Sequence, residues 1–69
     1  MILRAMAGRG REVILEFQHI GNSVKVTAID PETLVEVSIV GAPSAGEETL
    51  KQTALRKLEY VLAKRAKGP

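Results

Sequence analysis

Glu12-Val-Ile-Leu-Glu-Phe-Gln-His-Ile20, Gly21-Asn22-Ser23 and Val24-Lys-Val-Thr-Ala-Ile29 form the stretch that decides the fold. Its first part alternates with period two: Val13, Leu15 and Phe17 fall on one face, and Glu12, Glu16 and Gln18 on the other, with Ile14 among them. Gly21-Asn22 supplies the positive-φ chemistry of a two-residue hairpin turn. That turn pairs His19 with Val24, Phe17 with Val26 and Leu15 with Ala28, so apolar side chains meet on one face. A slip of one residue would destroy the match.

Beyond the hairpin, Asp30-Pro31-Glu32-Thr33 reads as a type I turn, with Asp able to bond the backbone ahead and Pro presetting φ. Leu34 follows where many such loops use glycine; in the left-handed region it would cost about 1–2 kcal/mol. A third strand, Val35–Val40, places Val35, Val37 and Ile39 inward beside Ala28, Val26 and Val24. Residues 41–46 form a loop. Ser44 and Glu47 have capping-box spacing, predicting a helix from near Ala45. Leu50, Ala54, Leu58, Val61 and Leu62, with Leu55 on the flank, fill an arc of about 140° on that helix. Glu47 and Glu48 at its start and Lys64, Arg65 and Lys67 at its end suit the helix dipole, and Gly68-Pro69 stops it.

The predicted fold is α+β: a three-stranded antiparallel β-meander followed by one C-terminal amphipathic helix packed on one sheet face (β-β-β-α). Residues 1–11 are expected to be a flexible basic N-terminal tail, residues 12–66 the single domain, and residues 67–69 the C-terminal end. Met6-Ala7-Gly8 also reads as a start of its own, which leaves residues 1–5 as an extension or part of that tail. The chain has 69 residues, enough for one domain, and 45% of them are apolar, which excludes disorder by composition. A domain this small hides only about 60% of the surface its unfolded chain exposes, so self-association is a natural source of further stability. Cysteine is absent, which removes thiol, disulfide and cysteine–zinc chemistry. Neither a signal-peptide core nor a membrane-spanning run is present, so a cytoplasmic location is expected.

The sequence pI near 9.3 invites a nucleic-acid reading until the charge is placed. Residues 1–11 carry +3, residues 12–44 carry −4, and residues 45–69 carry +3. Readers of single-stranded RNA stack bases on aromatics over a basic sheet. Here the open sheet face holds Glu12, Glu16 and Glu36, while Phe17 points inward. The basic residues Arg56, Lys57, Lys64 and Arg65 lie on the helix, which with the Arg4, Arg9 and Arg11 tail is the place for phosphate contact. An ordinary solvated helix face is the better account of them.

Other motifs fall away on inspection. Gly41-x-x-x-x-Gly46 has the outline of a phosphate loop, but Glu47-Glu48 stands where Lys and Ser or Thr belong. The strand-strand-strand-helix order resembles the double-stranded RNA-binding domain, yet its lysine cluster and first helix have no counterpart. His19 is the one histidine; Ser23 and Ser38 have no base in reach, and the fold leaves little room for a pocket. Glu16 and Glu36 are separated by the central strand and read as partners for Lys25. No catalytic residue, cofactor or metal ligand is predicted, and the chain reads as no enzyme.

The outer sheet face is more informative. Ile14, Ile29 and Val40 lie on it with Thr27 and Ser38 between them, an apolar patch rimmed by charge. Residues 12–20 would also form a long sheet edge without proline or lysine to blunt it. The expected function is therefore a protein-interaction module that self-associates as a homodimer through the open face or an edge, with Ile14, Thr27, Ile29 and Val40 as contacts. An unidentified protein partner remains compatible. The alternative is a weak, sequence-independent nucleic-acid binder using the helix and tail.

The run Glu16-Phe17, Gly21-Asn22, Val24-Lys-Val, Ala28-Ile-Asp-Pro31, Glu36-Val and Ile39-Val-Gly41, followed by Leu55-Arg-Lys-Leu58 and Tyr60-Val-Leu62, resembles a family of short stand-alone bacterial proteins of unknown function. The likeness spans about residues 12–65 and rests on turns, alternation and the helix stripe. In that family the turn after Asp-Pro usually carries glycine where this chain has Leu34. The resemblance implies a small cytoplasmic bacterial protein and brings no substrate or site residues.

Overall fold

The computed structural model describes residues 1–7 and 10–67. Its elements are β1 (Ile2–Ala7), β2 (Arg11–Ile20), β3 (Ser23–Ile29), β4 (Glu36–Gly41), a 3-10 turn at Pro43–Ala45, and α1 (Glu47–Lys67). The strands form one antiparallel sheet in the order β1-β2-β3-β4. The α+β class and the C-terminal helix agree with the sequence, but the sheet has four strands and not three.

The additional strand comes from the segment expected to be a tail. Ile2–Ala7 pairs with Arg11–Glu16, so Leu3 lies opposite Leu15 and Ala5 opposite Val13 on the core face. Three arginines masked a short alternating run, Leu3 and Ala5 inward against Ile2, Arg4 and Met6 outward. The same pairing covers most of β2, so residues 12–20 are not the sheet edge; the edges are β1 and β4. Arg9, Gly8 and the Gly68-Pro69 helix stop lie outside the described residues.

The β2–β3 hairpin has the expected register at all three positions, His19 to Val24, Phe17 to Val26 and Leu15 to Ala28. Gly21 has φ +59 whereas Asn22 does not take a positive φ, the pattern of a II′ turn with glycine first. The β3–β4 register is displaced by two residues from the one anticipated: Ala28 faces Val37, Val26 faces Ile39, and Val24 faces Gly41. The turn accounts for this. The Asp30 amide donates to the Val35 carbonyl at 2.9 Å and the Leu34 amide to the Asp30 carbonyl at 2.8 Å, so the turn closes on Asp30 and Val35. A two-residue displacement leaves every side chain on its own face.

Asp30 holds that turn from beneath. Its side chain has no solvent exposure and accepts from the Glu32 amide (3.0 Å), the Thr33 hydroxyl (3.1 Å) and the Arg11 guanidinium (2.5 Å). Burial pushes its carboxyl upward, but the hydrogen bonds from Glu32, Thr33 and Arg11, with the charge of Arg11, outweigh that and keep it below the usual carboxylate range. Leu34 does adopt the left-handed conformation, at φ 63, with its side chain 78% exposed.

The helix begins at Glu47, two residues later than anticipated, because Pro43–Ala45 takes its own turn. Gly46, at φ 88, redirects the chain and its carbonyl accepts from Leu50 (3.1 Å), so Ser44 does not cap α1. Leu50, Ala54, Leu55 and Leu58 bury against Val13, Leu15, Val26 and Ala28, with Val61, Leu62, Leu3 and Ala5 half-buried around them. Gly41 has no side chain because Leu50 occupies the space; a Cβ there would run into its Cδ2. The helix lies over β3 and β4, whereas β1 is joined to the body chiefly through β2.

Candidate interaction surface

Alternation sends every second side chain to the sheet face that α1 does not cover. Across the middle of that face the register sets Arg4, Ile14, Ile29 and Glu36 side by side, with Ile2, Glu16, Thr27 and Ser38 in the neighbouring row. Ile14 and Ile29 are direct cross-strand partners, as the sequence implied, and both are half-buried. Thr27 lies beside them, only 8% exposed, and its hydroxyl shares a 3.0 Å hydrogen bond with that of Ser38.

Val40 stands apart. It faces Lys25, four residues along β4 from the Glu36 that sits opposite Ile29, or about 13 Å at strand spacing. Val40 is exposed but is not joined to the Ile14–Ile29 pair, and so belongs to the rim of the patch. Lys25, read as a partner of Glu16 and Glu36, forms an ion pair with neither among the described residues; Glu16 faces Thr27 and Glu36 faces Ile29. Lys25 is set diagonally from Glu16 on the neighbouring strand, and four residues along β3 from the Ile29 that faces Glu36.

Two contributors were missed from sequence. Ile2 and Met6, each 67% exposed, flank Ile14 diagonally on β1 and widen the apolar strip to the edge of the sheet. Gly8-Arg9-Gly10 between two alternating runs was the signal, a short glycine-containing connection of hairpin type. Between Ile2 and Met6 sits Arg4, whose guanidinium meets Glu12 at 3.2 Å in an exposed pair. Such a pair contributes about 0–1 kcal/mol and leaves the strip mainly apolar in character.

The four basic residues of the helix stand as two adjacent pairs, Arg56/Lys57 and Lys64/Arg65, about two turns apart. Arg56 and Arg65 are exposed, and Lys64 lies 5.4 Å from the centre of the Tyr60 ring. Lys57 turns toward the sheet, where its ammonium donates to the Ser38 carbonyl at 2.9 Å. That contact satisfies an outward backbone acceptor of β4 and sets a lysine on the edge, a known way of blunting it. At the first turn of α1, Gln52 and Lys51 hydrogen-bond the Glu48 carboxylate and hold it below the usual range.

His19 sits at the rim of a shallow cleft of about 210 Å³ lined by Met1, Phe17, Val24, Glu47 and Leu50. Ligand pockets usually exceed about 300 Å³. No helix among the described residues is long and apolar enough to cross a membrane.

Fold and surface together define a small α+β domain, a four-stranded antiparallel meander with one covering helix and one uncovered apolar strip. The chain belongs to the family described as a domain of unknown function, DUF6898, whose model matches residues 10–65. Searches of curated proteins and of solved structures found no match. The family match begins after β1, so the strand carrying Ile2, Arg4 and Met6 lies outside the matched span.

Proposed function

We propose that this protein is a non-enzymatic interaction module that self-associates through its sheet, by the open face or by a free edge. One observation carries this reading: the strip Ile2, Met6, Ile14 and Ile29 crosses the face that the single helix leaves uncovered. Clustered apolar side chains rimmed by charge, here Glu12, Glu16 and Glu36 with Arg4 set among them, are the usual character of a small contact surface. A two-fold homodimer is the simplest assembly that brings two such strips together.

Sedimentation over a range of concentration and salt tests the proposal. The expected result is a mass approaching twice the 7.5 kDa of the chain, with little weakening as salt rises. Phosphate binding by the basic helix face would instead weaken steeply with salt, because each contact releases a counterion. Ile29→Lys is expected to abolish association by the face and leave association by an edge nearly intact. A single-chain mass at high micromolar concentration would overturn the proposal.

A further inference from the structure

The two edges of the sheet differ in a way that selects one mode of association. Met1 and Phe17 exchange both backbone hydrogen bonds, Met1 N to Phe17 O at 2.9 Å and Phe17 N to Met1 O at 2.7 Å. Bonded and non-bonded pairs alternate along an antiparallel ladder, so Leu3 and Ala5 direct their backbone groups toward β2. The N–H and C=O groups of Ile2, Arg4 and Met6 therefore point away from the sheet. No hydrogen bond is made to them among the described residues, whereas Lys57 guards the β4 edge at Ser38.

Resting on the self-association reading above, we propose that two copies of this chain join along β1, antiparallel about a two-fold axis at Arg4, into one continuous eight-stranded sheet. The register follows from symmetry. Setting Arg4 opposite the second copy's Arg4 places Ile2 opposite Met6 and Met6 opposite Ile2. This two-fold register engages all three outward residues of both copies, with about six new backbone hydrogen bonds.

Side chains agree with that register on both faces. On the outer face Ile2 meets the second copy's Met6 twice, so the two apolar strips run into one another across the seam. On the inner face Leu3 meets the second copy's Ala5, covering two residues that the single chain leaves half-buried. The unfavourable element is Arg4 facing its own copy, since like charges directly opposite destabilise a sheet. Each Arg4 already holds Glu12 of its own chain, so the charges at the seam balance. Association by this route is expected to tighten, not weaken, when Arg4 is replaced by threonine.

The absence of cysteine makes the test direct. In the full chain, Arg4→Cys would bring two thiols onto the two-fold axis. Cα atoms of a hydrogen-bonded antiparallel pair lie about 5.5 Å apart, within reach of a disulfide. Mild oxidation is expected to convert Arg4→Cys to a covalent dimer, while Ile29→Cys, in the middle of the outer face, stays uncrosslinked. A second variant tests the backbone: Arg4→Pro removes an N–H that points outward and spares the bonds to β2. It is expected to keep the circular dichroism spectrum and weaken association at least tenfold. Cross-linking at Ile29 without cross-linking at Arg4 would overturn the edge and leave self-association by the face. A dimer undisturbed by Arg4→Pro would overturn the edge as well. A single-chain mass for the unmodified protein at every concentration would overturn both.

Discussion

The β3–β4 half of the sheet is held and the β1 half is hung. Over β3 and β4 lies the helix, Lys57 reaches down to the β4 edge, and Asp30 ties the intervening turn to Arg11 on β2. β1 has one strand beside it, two half-buried contacts to the core through Leu3 and Ala5, and an uncovered row of backbone groups. The two edge strands, β1 and β4, have six residues each yet carry unequal numbers of attachments. In a domain this small, the difference separates what makes the single chain fold from what the proposed association would use.

The contrast can be broken most forcefully at the helix. Leu58→Ala empties a position that is 1% exposed beneath the held half, and about 2–5 kcal/mol of stability is expected to be lost in urea unfolding. For a chain with so little core this approaches global unfolding. Asp30→Ala comes next: it removes three hydrogen bonds at once and leaves Arg11 without its partner, and a fall of several degrees in Tm is expected.

The same residue sets a pH dependence. The folded carboxyl of Asp30 lies below its unfolded range, so its contribution is complete at neutral pH. It fades as pH falls from the unfolded carboxylate range through the folded pKa. Thermal unfolding measured between neutral pH and pH about 3 is expected to show this loss, and Asp30→Asn to show a shallower one.

On the hung half the effects are smaller. Leu3→Ala is expected to cost about 1–2 kcal/mol, since only part of that side chain is hidden. A cost equal to that of Leu58→Ala would erase the distinction between the halves. Leu34→Gly runs the other way. It relieves a left-handed leucine that is mostly exposed, and a gain of up to about 1 kcal/mol is expected in the same urea experiment.

The held half was largely legible in the sequence. Alternation on β2 and β3, the Gly21 turn and the Leu50–Leu58 stripe are strong, redundant signals, and each survived into the structure. The β3–β4 register was not readable, because a turn closed by a left-handed leucine carries no glycine to mark it. β1 was hidden for a related reason. Its inward set is only Leu3 and Ala5, and the arginines around it mimic a basic tail. Of the surface, the Ile14–Ile29 pair followed from the hairpin register alone, whereas Ile2 and Met6 needed the fourth strand to place them.

The central claim is that the hung strand is where the chain meets its copy, and amide hydrogen exchange along β1 read by NMR at two concentrations tests it most directly. At low micromolar concentration the outward amides of Ile2, Arg4 and Met6 are expected to exchange freely while Leu3 and Ala5, bonded to β2, show partial protection. At millimolar concentration the outward three are expected to become protected. Exchange at Ile2, Arg4 and Met6 that is rapid and independent of concentration would contradict the account.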